Sequence, residues 1–207
     1  MDVAVVRGEA ELLARAAHLF ESAGSLACAA DDLHTWAVTR HAKHAPVGAG
    51  SIRKLYRPGV LLDPVQTQHV RERAQLGVQV RITPAEINET IIFDDRAAIL
   101  AGDRASGERS YSVVTRPEVV RSVTSLFDAA WRTATELAVF EMQFAEVRAL
   151  APRILDMLAS GCKDESAART LGLGLRTYRR RVAELMNALG AESRFQAGVR
   201  ARELGLV

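Results

Sequence analysis

Residues 52–82 constrain the fold more than any other stretch. "IRKLY" reads as a strand, "PVQTQHVRERAQLG" has helical spacing and stops at Gly77, and "VQVRI" returns to strand. Two strands joined through a helix run parallel, because bringing the chain back in the same direction takes a dozen residues or more. The order therefore predicts an α/β body with helices packed on a sheet. "SLACAA" adds a strand upstream. "TIIFDDRAAILAG" reads as a hairpin turning near Asp94 and Asp95, and "YSVVT" as the last strand. A hairpin within a parallel arrangement makes the sheet mixed. The polar run "DRASGERS" between them is expected to be a loop.

Helices frame these strands. Leu12, Leu13, Ala16, Leu19 and Phe20 share one face of a helix over Glu9–Glu21, and Asp31-Asp32 can cap another, "DLHTWAVTRHAKH", before the breaker Ala45–Gly50. Pro117 suits a helix start. The stripe Val120, Val123, Phe127, Ala130, Trp131, Ala134, Leu137 and Ala138 predicts one helix continuing to about Phe144, about 40 Å long at 1.5 Å per residue. Such a helix could link two parts of the molecule.

Beyond it the chain reads as all helix. Val147, Leu150, Ile154, Leu155 and Leu158 share a face, and Pro152 is expected at a helix start. Gly161 ends that helix. Asp164 is expected to cap "ESAARTL", Gly172 stops it, the next helix runs to Gly190, and Ser193 caps a last one. The expected division is 1–143, an α/β body, and 144–207, an all-α tail. Charge divides at the same place: 16 basic against 18 acidic residues before it, 11 against 7 after it. A mildly acidic body thus carries a basic tail, a polarity that points to an anionic partner.

The tail concentrates that charge in "LRTYRRRVAELMNALG". Tyr178, Val182, Leu185, Met186 and Leu189 recur at helical spacing and form the stripe that packs. Arg179, Arg180 and Arg181 fan over the remaining surface, and with Arg176 they meet one nearby acid, Glu184. A solvated face ordinarily mixes signs. One sign clustered in the first half of a helix is where a major-groove reader presents its contacts.

The segment Cys162–Ala197 resembles the LuxR-type (GerE-like) helix-turn-helix of bacterial transcription regulators. The resemblance rests on Gly161, Ala168, Arg169, Leu171-Gly172-Leu173, Thr177, Val182, Leu185, Leu189-Gly190, Ser193-Arg194 and Gln196-Ala197, without gaps over that span. It implies double-stranded DNA as partner, contacts from Arg176, Thr177, Tyr178, Arg179, Arg180 and Arg181, Lys163 near the backbone, and a homodimer. Tyr178 stands where the family has valine, so its ring either meets bases or packs inward. Two features depart from the family: "VRALAPRIL" replaces a Thr-Pro-x-Glu-like opening, and Gly174 replaces a capping serine, at a cost of a few tenths of a kcal/mol.

Three readings compete for the body. A phosphate-accepting receiver would use Asp31, Asp32 and Asp63, but a helix precedes the first strand and no lysine follows at the needed place. A phospholipase-D-like phosphodiesterase needs HxKxxxxD. His41 and Lys43 begin correctly but Gly48 takes the aspartate position, and counting back from Asp94 puts Glu89 at the lysine and Ile87 at the histidine. Phosphodiester hydrolysis needs an activated nucleophile and positive charge on the phosphoryl oxygens, and both are missing. The run from Ser51 to Thr135 instead resembles the catalytically degenerate phospholipase-D-like effector part of TrmB-type regulators. It implies no enzymatic activity and a body that senses a small molecule or dimerises, with Arg57, Arg81, Asn88 and Glu89 as candidate pocket residues.

No cofactor or metal is expected: His34, His41 and His44 lack carboxylates or cysteines at ligand spacing. Cys28 and Cys162 give no disulfide framework. Asp2, Glu9 and Glu11 argue against a signal peptide, and no apolar run nears the ~18 residues of a membrane span, so the expected compartment is the cytoplasm. The alternatives to a DNA-binding regulator are an interaction or antagonist module that does not bind DNA, and a response-regulator-like protein with an atypical receiver.

Overall fold

The computed structural model describes residues 2–30, 52–85, 88–105 and 108–207, without the side chains of residues 103–105. Asp31, Asp32, His34, His41, Lys43, His44, Gly48, the helix "DLHTWAVTRHAKH", Ala45–Gly50 and Ile87 lie outside the described residues.

Among the described residues, eight strands form one sheet in the order β1-β7-β6-β5-β2-β3-β4-β8. They are β1 (Val3–Arg7), β2 (Leu26–Ala30), β3 (Ile52–Tyr56), β4 (Gln79–Ile82), β5 (Thr90–Phe93), β6 (Ala97–Ala105), β7 (Glu108–Val114) and β8 (Thr135–Glu136). β3 and β4 are parallel neighbours, as the strand–helix–strand order predicts, and β2 is parallel to β3. The other pairs are antiparallel. Helix α1 is Gly8–Ser22 and α2, Pro64–Gln75, is the crossover between β3 and β4. Asp63 caps α2 by accepting hydrogen bonds from the N–H groups of Val65 (2.7 Å) and Gln66 (3.3 Å), which gives it a structural task. A sheet with three parallel strands and antiparallel flanks is not the doubly wound parallel sheet of a receiver.

The β5–β6 hairpin turns where the sequence places it. Asp94 and Asp95 have φ of 50° and 54°, a left-handed conformation that aspartate tolerates better than most residues. The Asp94 carboxylate accepts from the backbone N–H of Ser25 at 2.6 Å and of Gly24 at 3.1 Å, tying the turn to the start of β2. Desolvation opposes its charge, but these hydrogen bonds outweigh that and hold the carboxyl below its ordinary range. The expected loop "DRASGERS" is largely strand: β6 runs to Ala105 and β7 starts at Glu108. Cross-strand pairing overrides the polar composition there.

The helix expected to continue to Phe144 is two helices. α3 (Pro117–Thr133) ends at Ala134, whose ψ is 147°, β8 follows, and α4 (Leu137–Ala159) begins. The apolar stripe keeps helical phase but changes partners. Val123, Phe127, Ala130, Trp131 and Ala134 cover one face of the sheet with Ala27, Leu55 and Ile92. Leu137, Phe144 and Val147 join the core on the other face. The chain must round the sheet edge between them, and β8 does so while pairing with Arg81 and Ile82 of β4. Pro152 lies inside α4, not at its start. Its ring faces solvent, while Val147, Ala151, Ile154 and Leu155 bury a continuous face that offsets the ~3 kcal/mol of an interior proline.

Helices α5 (Asp164–Thr170), α6 (Leu175–Ala188) and α7 (Arg194–Glu203) complete the chain. The main core runs from the sheet into them through Ile154, Ala167, Tyr178, Leu185 and Ala197. Among the described residues, no helix is long and apolar enough to cross a membrane.

Candidate nucleic-acid interface

α5 and α6 are joined by Leu171–Gly174, with Gly172 at φ 69° making the turn. Beneath α6 lie Tyr178, Val182, Leu185 and Leu189, all buried, with Met186 half-buried. Ser193 caps α7 as expected: its hydroxyl accepts from Gln196 N–H at 3.1 Å, and Gln196 Oε1 accepts from Glu192 N–H at 2.8 Å.

The outward surface of this pair carries Lys163, Arg176, Arg179 and Arg180, all exposed, with Thr177 half-buried beside them. The Arg179 and Arg180 side chains keep 58% and 61% of their surface in solvent. Arg180 reaches Glu184 at 3.7 Å. Such cations can meet phosphates or base edges without first leaving a core.

Two residues expected on this surface are not on it. Tyr178 is fully buried, which settles its two readings in favour of inward packing. Burial also pushes its phenol up, with the Asp164 charge adding to the effect. Arg181 is 8% exposed and pairs with Glu146 of α4 and with Glu184, the latter at 2.7 Å. It ties α6 to α4. The sequence shows Glu184 as the local acid, but Glu146 is thirty-five positions away.

Asp164 is a further correction. It is the first residue of α5 rather than its cap, and Lys163, which stands at the cap, supplies no side-chain bond. Its carboxylate receives Arg179 Nε at 3.0 Å and Arg194 at 2.8 and 3.1 Å. Hydrogen bonding from Arg194 first, and then from Arg179, outweighs desolvation and holds the Asp164 carboxyl below its ordinary range. One carboxylate thus fixes side chains from the starts of α6 and α7. Beside them Val182, Ala183, Met186 and Asn187 floor a groove of about 360 Å³ that opens to solvent.

The four candidate pocket residues do not converge. Arg81 lies on the α3 side of the sheet, its guanidinium 4.8 Å from the Trp131 ring centroid and donating to the Trp131 carbonyl at 2.8 Å. Arg53 lies nearby, 5.1 Å from Phe127 and 2.8 Å from Asp128. Glu89 precedes β5 and is buried in an ion pair with Arg109 of β7. Arg81 shares the alternation of Leu55, its register partner on β3, and Glu89 that of Ile91, and these two residues belong to cores on opposite faces. Asn88 is exposed, and its carbonyl accepts from Thr90 at 3.0 Å. Arg57 lies against Gly190 (φ 65°) just past α6, where a Cβ would stand 2.5 Å from the guanidinium. Strand alternation sends Arg81 and Glu89 to opposite faces of the sheet and Arg57 lies against the turn after α6, so the four do not line one pocket.

Glu89, which counting along the sequence sets at the lysine of the phosphodiesterase motif, is a buried carboxylate ion-paired with Arg109. Burial pushes the Cys28 thiol up to about 11, so it behaves as a core residue. No group of three or more His, Cys, Asp or Glu capable of holding a metal occurs among the described residues.

The fold is a mixed α/β sheet body continued by a helical, basic-surfaced tail. The "Bialaphos biosynthetic pathway regulatory protein" of Streptomyces hygroscopicus is 32% identical over 158 residues, covering 76% of this chain and 62% of that protein. The chain therefore spans about three-fifths of the length of this curated relative. Among solved structures, TrmBL2, described as an archaeal chromatin protein with a novel mode of DNA binding, has a TM-score of 0.51 at 16% identity, over 66% of this chain and 55% of that one. NucT from Helicobacter pylori has a TM-score of 0.52 at 12% identity, over 65% and 99%. These likenesses are of fold, and they support the mixed α/β body expected from the sequence. No family model matches the chain.

Proposed function

We propose that the protein is a sequence-specific, DNA-binding transcriptional regulator that acts as a homodimer in the cytoplasm. Helix α6 is its reader, in the manner of a LuxR-type helix-turn-helix, with residues 144–207 as the DNA-binding part and 1–143 as the sensing and dimerising part. The observation that carries this reading is the separation of surfaces on α6. Tyr178, Val182, Leu185 and Leu189 are fully spent on packing, while Arg176, Arg179 and Arg180 stand out together with Lys163. In this reading α6 lies in the major groove with its first turns at the bases, and α5 braces it. The regulatory relative and the DNA-binding chromatin protein of like fold support the assignment.

The body is not an enzyme in this reading. The ion-paired Glu89 in place of a catalytic lysine supports that, because it adds negative charge where a phosphoryl group would need positive. The body's role is to respond to a small-molecule effector or to set the spacing of two readers. Genome-wide footprinting with purified protein tests the proposal. Discrete protected sites with a recurrent, two-part sequence are expected, and protection spread without sequence preference would reject specific reading.

A further inference from the structure

Among the described residues β1 ends the sheet, and its pairing fixes which of its backbone groups face outward. Thr115 N–H donates to the Asp2 carbonyl, and β1 lies antiparallel to β7 with Ala4 opposite Val113 and Val6 opposite Tyr111. Hydrogen-bonded positions alternate in such a pair, so Asp2, Ala4 and Val6 bond to β7 while Val3, Val5 and Arg7 turn their N–H and C=O groups to the open edge. Arg7 N–H is already taken by Glu11 of α1, at 2.8 Å. Val3 and Val5 have no edge partner among the described residues, and they are also exposed, Val3 to 44% and Val5 to 67%. Natural edges are ordinarily guarded by lysine, proline or a bulge. β1 reads Val-Ala-Val-Val-Arg and carries no such guard within its apolar part.

We propose that a second copy of this chain pairs with β1 edge to edge, antiparallel about a two-fold axis at Ala4, so that the two sheets become one. This gives the homodimer of the function proposed above an interface, and to that extent rests on it. The hydrogen-bond inventory selects the register. With Ala4 opposite Ala4 of the partner subunit, Val3 of each chain pairs with Val5 of the other, and these two residues exchange all of their outward N–H and C=O groups. Shifting the axis to Val5 would oppose Val3 to Arg7, whose N–H is bound to Glu11. The chosen register leaves that bond intact and puts the exposed Val3 and Val5 side chains beside one another across the two-fold, where β-branched pairs are favourable. A foreign strand could use the same backbone groups. The second copy is preferred because the edge is complementary to itself with no outward donor of Val3 or Val5 left over. Edge pairing over so few residues is small, so a monomer–dimer equilibrium at roughly micromolar concentration is expected.

Sedimentation of the full chain without DNA, with Val5→Pro, Ala4→Cys and Val5→Cys variants, tests this independently of any DNA-binding property. Proline at position 5 removes a donor that β7 does not use, so it should abolish dimers while leaving the far-ultraviolet circular dichroism spectrum unchanged. In a Cys162→Ser background, Ala4→Cys should form an intermolecular disulfide on mild oxidation. Directly opposed non-hydrogen-bonded residues have Cα atoms about 4.5 Å apart, within bridging range. Val5→Cys should bridge far less. A wild-type chain that stays monomeric to about 100 μM overturns the proposal. So does a Val5→Pro variant that is folded and still dimeric, or bridging through Val5→Cys in place of Ala4→Cys. Should Val5→Pro fail to fold, the cysteine pair decides alone.

Discussion

On the sheet body, Arg53 and Arg81 lie over the rings of Phe127 and Trp131 and end on Asp128 and Glu136. On the helical tail, Arg179 and Arg180 lean out from α6 with more than half of each side chain in solvent. The first pair is partly desolvated between an aromatic face and a carboxylate, where a guanidinium stabilises the fold. The second pair also meets carboxylates, Arg179 on Asp164 at 3.0 Å and Arg180 on Glu184 at 3.7 Å, but with most of each side chain in solvent these pairs are screened by salt, the condition in which cations exchange counterions for phosphate. Arg181 shows the difference within one helix. It neighbours Arg180 in sequence yet belongs with the body's arginines, because it faces α4 and Glu146.

Substitutions should therefore divide into those that move stability and those that move binding. The largest effect is expected from Tyr178→Ala, which empties a fully buried site under α6 and should cost about 3–5 kcal/mol in chemical denaturation. A loss below about 1 kcal/mol would mean that the stripe is not the packed surface. Arg181→Ala should cost about 2 kcal/mol, since it removes a buried guanidinium and two carboxylate contacts, with little change in the salt dependence of DNA binding. Arg81→Ala should cost about 1–2 kcal/mol through the lost ring and carbonyl contacts, again without changing binding. If Arg81→Ala weakened DNA binding as Arg179→Ala does, the contrast between body and tail would fail.

The smallest effect is a pH dependence at Asp164. Its folded carboxyl is held below the ordinary value by Arg194 and Arg179, so the stability it contributes is present above the ordinary aspartate pKa of about 4 and is lost as pH falls through the lowered value. The difference in melting temperature between the wild type and Asp164→Asn should thus be level near neutrality and shrink in acid. A difference that grows in acid would place the arginines on some other partner.

What the sequence shows of the fold follows the range of the interactions involved. The crossover from β3 through α2 to β4 and the turn at Asp94-Asp95 are local patterns, and both are found where expected. The Ser193 cap needs one neighbour three residues on and was equally legible. The break between α3 and α4 was not, because the stripe keeps its helical phase while its two halves pack on opposite faces of the sheet. β8 exists only through its pairing with β4, and a two-residue strand has no periodicity of its own. On α6 the stripe under Tyr178 could be read directly. The withdrawal of Arg181 depends on Glu146 in another helix, and the clamp at Asp164 on the meeting of three helices. Arg81 and Glu89 are separated by strand alternation only once the register through β3 and β2 to β5 is set, and that register comes from long-range pairing.

The most direct test of the account is the slope of log affinity against log salt for a bound DNA duplex, measured for the wild type and for Arg179→Ala, Arg180→Ala and Arg181→Ala. For each phosphate contact it removes, an exposed-arginine variant should flatten the slope by about one unit, and Arg181→Ala should leave it unchanged. Unchanged slopes and affinities for Arg179→Ala and Arg180→Ala, or an equal flattening for the buried Arg181, would contradict the division of α6 into a packed side and a reading side.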